Sequence, residues 1–196
     1  MALSTSWCCR LAIAVLAILL LAAPQLSAQT KTPTGGTVPT ANPADVSSID
    51  AIIAAIYDVV SGPAGEERDW NRFRSLFDTE ARLIPTSPAQ DEAEFSAQMW
   101  GVEDYIERAG PSLAASGFFE VESKRVMELF ENIAHVFSTY ESRRTPDGEV
   151  FMRGINSIQL MFDGERWWVM NIMWRGVGAE FQIPAMYLPP FLPSLT

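Results

Sequence analysis

From Phe118 to Arg175 the sequence offers four strand-like segments in a row: Phe118–Phe130, Ile133–Arg143, Glu149–Phe162 and Trp167–Arg175. Only short turn signals part them, Thr145-Pro146-Asp147-Gly148 and Asp163-Gly164 being the clearest. An Asp-Gly pair between apolar, β-rich runs marks a hairpin, because its residues tolerate positive φ. The stretch reads as one long antiparallel meander. A sheet of that size has two faces, and the chain ahead of it must supply the helices that cover one of them.

Three helices are expected there. The first runs from about Val46 to Ser61, with Ser47 and Asp50 as a capping box and Ile49, Ile52, Ile53, Ile56 and Val60 on one face. Gly62-Pro63 ends it, and Tyr57 sits beside the apolar stripe. The second spans Glu66–Asp78 and buries Trp70, Phe73 and Phe77, its acidic start suiting the helix dipole. Ala81–Ile84 follows as a short strand closed by Pro85, and Thr86–Gln98 as a polar insertion before a short strand at Phe95–Trp100. The third helix takes Val102 to about Ala115, with Tyr105 on its apolar face and Pro111 bending it.

The ends of the chain differ from this middle. Arg10 precedes an unbroken apolar run, Leu11–Ala23, then Pro24 and the small residue Ala28. That is the layout of a secretory signal, a retained anchor being the other reading. Domains are expected as 1–28 signal peptide, 29–44 disordered Thr/Pro/Gly-rich tether, 45–178 folded domain, and 179–196 Pro-rich apolar C-terminal arm. The arm packs along the domain or on a partner. Cleavage removes Cys8 and Cys9, leaving no disulfide or thiol chemistry. It also removes Arg10, taking the net charge from −10 to −11. So acidic a domain argues against nucleic-acid binding and against an anionic membrane surface.

The order helix, helix, short strand, helix, meander resembles the nuclear transport factor 2-like superfamily, with SnoaL-like bacterial proteins as nearest kin. The residues that carry the likeness are Arg68-Asp69-Trp70, Leu76-Phe77 through Ala81-Arg82-Leu83-Ile84, and the hairpin Ile155-Asn156-Ser157 … Asp163-Gly164-Glu165-Arg166-Trp167. It covers about residues 46–176. The resemblance implies an α+β, cone-shaped roll (cystatin-like), three N-terminal helices packed on a curved antiparallel sheet around a pocket. Members range from isomerases, cyclases and dehydratases to non-catalytic binding and dimerisation modules, so the fold leaves the function open. The family's isomerase-type sites place an acidic base just before the proline that follows the first short strand. Here that residue is Ile84, a departure that counts against such proton transfer.

Counting outward from the two turns pairs Ile158 with Val169, Asn156 with Asn171, Phe137 with Asn156 and His135 with Ile158. One face then holds His135, Phe137, Asn156, Asn171 and Trp167. The opposite face, with Ile155, Met170, Ile172 and Trp174, is apolar enough to suggest a homodimer interface. His135 is the only histidine. As a general base it would work with Asn156 or Asn171 polarising a carbonyl; the plainer reading is a hydrogen-bonded core residue. The expected ligand pocket is Asn156, Asn171, Tyr57, Tyr105, Phe137 and Trp167. Glu128 faces His135 if Glu131-Asn132 is a two-residue turn, and faces solvent if a bulge intervenes.

One histidine and no mature cysteine give no metal site, and no phosphate loop or other cofactor motif occurs. The sequence therefore points to an exported domain, periplasmic or secreted, that binds a small apolar or amphipathic molecule. A lyase, isomerase or hydrolase, and a dimerisation module with a filled pocket, are the alternatives. Exported material is expected to begin at Gln29. N-terminal sequencing that finds Met1 or Leu11 would overturn that expectation.

Overall fold

The computed structural model describes residues 38–88, 94–178 and 182–190. The expected signal segment lies outside them, as do residues 29–37 of the tether and 191–196 of the arm. The tether's last residues belong to the fold instead. Asn42 caps a short helix, α1 (Pro43–Val46), by accepting from the Ala44 N–H at 3.1 Å, and Ala41 is buried in the core.

Helix α2 (Ile49–Val60) buries Ile52, Ile53, Ile56, Tyr57, Val59 and Val60. Its cap is Ser48, whose Oγ accepts from the Ala51 N–H at 3.0 Å, one residue beyond the expected Ser47. Helix α3 is shorter than expected, Trp70–Leu76, capped by Asp69. Ahead of it the Trp70 N–H donates to the Arg68 carbonyl at 2.9 Å rather than to residue 66, whose carbonyl accepts from the Arg68 guanidinium at 2.7 Å. Helix α4 (Val102–Ser116) runs through Pro111 and stops at Gly117.

The strands are β1 (Phe77–Pro88), β2 (Phe95–Ala97), β3 (Phe119–Phe130), β4 (Ile133–Arg143), β5 (Met152–Phe162) and β6 (Trp167–Gly178). They form one curved, unclosed sheet in the order β2-β1-β6-β5-β4-β3. The expectation of a purely antiparallel sheet needs correction, because β1 pairs with β6 in parallel, Leu83 opposite Ile172. Nor does Pro85 end β1. Leu83 exchanges both main-chain bonds with Trp100, so Pro85, two residues on, turns its main chain to the same side. Only its carbonyl is needed there, and it accepts from the Gln98 N–H at 3.1 Å.

Two irregularities decide which side chains face the helices. The Thr145–Gly148 turn exists, but pairing resumes only at Ser142 opposite Met152. Arg144 is drawn out of the ladder: it bonds Ser116 Oγ and the Gly117 carbonyl and lies 4.0 Å over the Phe151 ring. The β4 register thus shifts by one residue, and Ser138, not Phe137, lies opposite Asn156. The turn after Phe162 takes four residues where two were counted, Phe162 facing Trp167, which preserves the faces. Strand β6 then slips past β5 between Gln159 and Leu160, so Asn171 falls opposite Gln159 and Ile172 opposite Ile158. A slip of one reverses every side chain beyond it. Ala134, Val136, Ser138 and Ile172 are therefore buried inside, and Trp174 packs on the core from the same side. The face nominated for the dimer is not one face: Ile172 and Trp174 belong to the core, whereas Ile155 lies on the outer side. Residues 182–190 lie against that outer side. Tyr187 stacks edge-on to Phe137 at 5.1 Å, and its carbonyl accepts from Thr139 Oγ1 at 2.7 Å.

The inner core of Ile52, Ile53, Val136, Ile158, Leu160 and Val169 is almost wholly inaccessible. Arg68 joins the helical layer to it. The guanidinium donates to the carbonyls of Val60 at 3.0 Å, Gly62 at 2.7 Å and Leu113 at 3.0 Å as well as Glu66. Gly62 must be glycine here, since a Cβ would lie 2.6 Å from an Arg68 nitrogen. Arg68→Met keeps the stem and orphans these buried acceptors, each costing about 1–3 kcal/mol. The variant is expected to lose at least about 3 kcal/mol in urea denaturation. A loss below about 1 kcal/mol would show that water replaces the guanidinium without penalty.

Candidate functional site

A cavity of about 110 Å³ lies between the inner sheet face and helices α2, α3 and α4. Its floor is buried: Ile56, Val60, Phe73, Leu83, Tyr140, Asn156 and Ile172. Its rim, formed by Tyr105, Phe118, Glu120, Met152 and Trp174, is half-buried. Tyr105 is held in place by stacking on Phe73, centroids 5.1 Å apart, and by the edge of Trp174. Tyr140 owes its position to two glycines. Gly154 and Gly176 lie opposite each other on β5 and β6, and a Cβ at Gly154 would come 2.4 Å from the Tyr140 hydroxyl.

Glu120 is the chemically distinctive group. It sits at the start of β3 on the cavity lining, and Ser142 Oγ donates to it at 3.0 Å. Among the described residues no cation pairs with it. Burial pushes its pKa up to about 7, with the Ser142 and Asn156 hydrogen bonds opposing the rise. Burial likewise raises the phenols of Tyr57, Tyr105 and Tyr140, and a charge on Glu120 adds to each. The cavity thus offers one carboxyl able to change protonation near neutrality, among hydroxyls that keep their protons.

Glu120 also borders an outer groove of about 440 Å³, lined by Tyr57, Asp58, Ser61, Glu122, Arg125 and Arg143 among others. Beneath it Asn156 Nδ2 donates to Tyr57 Oη at 3.1 Å, and Tyr57 Oη meets Ser138 Oγ at 2.6 Å.

Of the residues expected in the pocket, Asn156 and Tyr105 line the cavity, and Tyr57 stands directly behind Asn156. Trp167 is on the inner side but packs against Phe162, centroids 5.4 Å apart, at the far end of β6. His135, Phe137 and Asn171 are not there. The two register slips turn all three outward. His135 Nε2 lies 3.0 Å from Ser157 Oγ, and its side chain is 38 % exposed. Glu128 does lie opposite His135, its Oε2 4.0 Å from Nδ1, because Glu131 adopts φ 48° and closes a two-residue turn. Both side chains face solvent, so the pair forms no enclosed base.

Glu120 was missed, although the strand carried a signal for it. In Glu120-Val121-Glu122 the valine is 47 % exposed and the carboxylates turn inward, the reverse of ordinary strand patterning. The inward Ser138, Tyr140 and Ser142 of β4 repeat that reversal beside it.

The pH dependence follows from Glu120. Below about pH 4.5 folded and unfolded chains both hold its proton. Between there and about 7 the unfolded chain ionises while the folded one resists, so stability falls as pH rises through that window. The total is on the order of 3 kcal/mol. Glu120→Gln is expected to match the native chain near pH 4 and exceed its stability near pH 8. Urea titrations at both pH values check this, and a variant less stable at the higher pH contradicts it.

No family model matches the sequence, and no curated protein matches it. Solved structures do. A Nostoc punctiforme protein of unknown function with a cystatin-like fold superposes with a TM-score of 0.51, at 11% identity, over 67% of this chain and 90% of its own. A nuclear transport factor 2-like protein of unknown function from Silicibacter pomeroyi covers 67% of this chain and 94% of its own, at 13% identity and a TM-score of 0.46. One from Methylobacillus flagellatus, also of unknown function, covers 67% and 95%, at 12% identity and a TM-score of 0.43. At such identities the likeness establishes the fold alone, and the chain has a cystatin-like α+β roll.

Proposed function

We propose that the chain is an exported domain that binds a small amphipathic molecule beside Glu120. The observation that carries this reading is a carboxyl with no cation partner among the described residues, in a cavity otherwise lined by apolar side chains, two tyrosines and one asparagine. A group so placed destabilises the folded protein at neutral pH, and a ligand hydroxyl, carbonyl or amine against it would repay that cost. The cavity of about 110 Å³ admits only a small apolar moiety. A longer molecule would extend past Glu120 into the outer groove, where Asp58, Ser61 and Arg143 suit a polar end.

A second reading is proton transfer of the isomerase or lyase type. It is favoured by the same carboxyl, whose pKa of about 7 suits a general acid or base, together with the Asn156 amide and the protonated Tyr140 hydroxyl. In this version Glu120 replaces His135 as the titrating group.

Native mass spectrometry of the full chain, purified from its own host, is the direct test. The expected result is a retained small molecule that is lost from Met152→Trp, which fills the cavity rim, with the melting temperature unchanged. A molecule retained equally by folded Met152→Trp would place binding elsewhere. An empty native chain that also fails to bind hydrophobic carbonyl compounds in thermal-shift screens would overturn the reading.

A further inference from the structure

The hydrogen bonds behind the cavity run in one direction, and that direction starts at Glu122. Arg125 grips the Glu122 carboxylate, Nε at 3.0 Å and 3.1 Å from its two oxygens and Nη2 at 2.6 Å, while also bonding Asp50 at the start of α2. A carboxylate so held can only accept. Ser138 Oγ must therefore give its one proton to Glu122 Oε1. Having done so, Ser138 can only accept from Tyr57 Oη, 2.6 Å away. Tyr57, its proton committed, can only accept, and it does so from Asn156 Nδ2 at 3.1 Å. Each hydroxyl has a single proton, so no link can reverse alone.

The amide of Asn156 is the end of this chain, and it lines the same cavity as Glu120. We propose that Glu122, acting through Ser138 and Tyr57, locks Asn156 with its N–H groups toward Glu120, and so sets which form of the cavity carboxyl the protein favours. These are positioning residues: none of Glu122, Ser138 and Tyr57 lines the inner cavity. The proposal rests on Glu120 being the cavity's titrating group and adds how that group is controlled.

The other groups facing Glu120 do not supply this control. Tyr105 from α4 and Tyr140 and Ser142 from β4 are its remaining polar neighbours, and the two phenols keep their protons. Arg68 lies beyond Tyr105 and Arg175 beyond Tyr140. Glu122, two residues along β3, is, among the described residues, the fixed charge that hydrogen bonds join to the Asn156 amide, which lines the same cavity as Glu120. If the run is cut, Asn156 can turn its Oδ1 toward Glu120 and accept from the protonated acid. The carboxyl then holds its proton more tightly.

The test is a pH titration of the full chain labelled with glutamate carrying 13C at Cδ, followed by NMR, with Glu120→Gln identifying the signal. The native midpoint is expected at about 7. Tyr57→Phe and Ser138→Ala are each expected to move it up by about one pH unit, and Ser138→Thr, which restores a hydroxyl, to bring it back. Both cuts leave Glu120 and the cavity lining in place, and a melting curve for each confirms folding. A midpoint unchanged in whichever of the two cuts folds would overturn the proposal while leaving the cavity acid intact. A native Glu120 signal titrating near 4.5 would instead remove the acid itself, and the functional reading with it.

Discussion

One buried guanidinium holds the helical layer in register with the sheet. Arg68 reaches the Val60 carbonyl at the end of α2 and the Leu113 carbonyl in the last turn of α4. Both are among the acceptors that a helix leaves unsatisfied, and both lie at the negative end of a dipole, where a cation belongs. The same side chain bonds Gly62, whose carbonyl also accepts from the Phe118 N–H. Phe118 immediately precedes β3, two residues before Glu120, and Ser61 Oγ accepts from the Glu120 N–H at 3.0 Å. The position of the cavity carboxyl is thus traceable, bond by bond, to Arg68.

That arrangement explains why the polar groups gather at one end of the inner face. Where α2 lies squarely over the sheet, Ile52 and Ile53 meet Val136 and Ile158, and nothing polar intrudes. Toward the end of α2 the inner side carries Tyr57, Tyr140, Asn156 and the two inward glutamates of β3. Burying a carboxyl there without a cation opposes folding, and the rest of the core must outweigh it. Its retention is intelligible if the site acts on a molecule from outside.

Much of this was legible in the chain. The isoleucine stripe of α2, the strands of the meander and the inward Asn156 all follow from spacing. What failed was parity. A four-residue turn at Thr145–Gly148 was correctly seen, but not that Arg144 would leave the ladder to cap α4 and stack on Phe151, a contact between residues distant in sequence. Nor does anything in Trp167–Arg175 announce the slip at Met170. Each moves a strand by one residue, and together they exchanged His135 and Asn171 for Ser138 and Ile172. Glu120 was within reach, because a strand that sends valine outward and glutamate inward breaks its own rule. A rule broken locally is where a site is to be sought.

The parallel pairing of β1 with β6 has a consequence for how the chain reaches this state. β3 to β6 are joined by neighbouring hairpins and can zip up through local contacts, whereas Leu83 must find Ile172 across the whole meander. Loop-closure entropy places such pairings late in folding. Leu83 and Ile172 are both walls of the cavity, so the pocket does not exist until that final step. A molecule bound there would act as a clasp on the last strand to dock, slowing its departure more than that of any other part of the sheet.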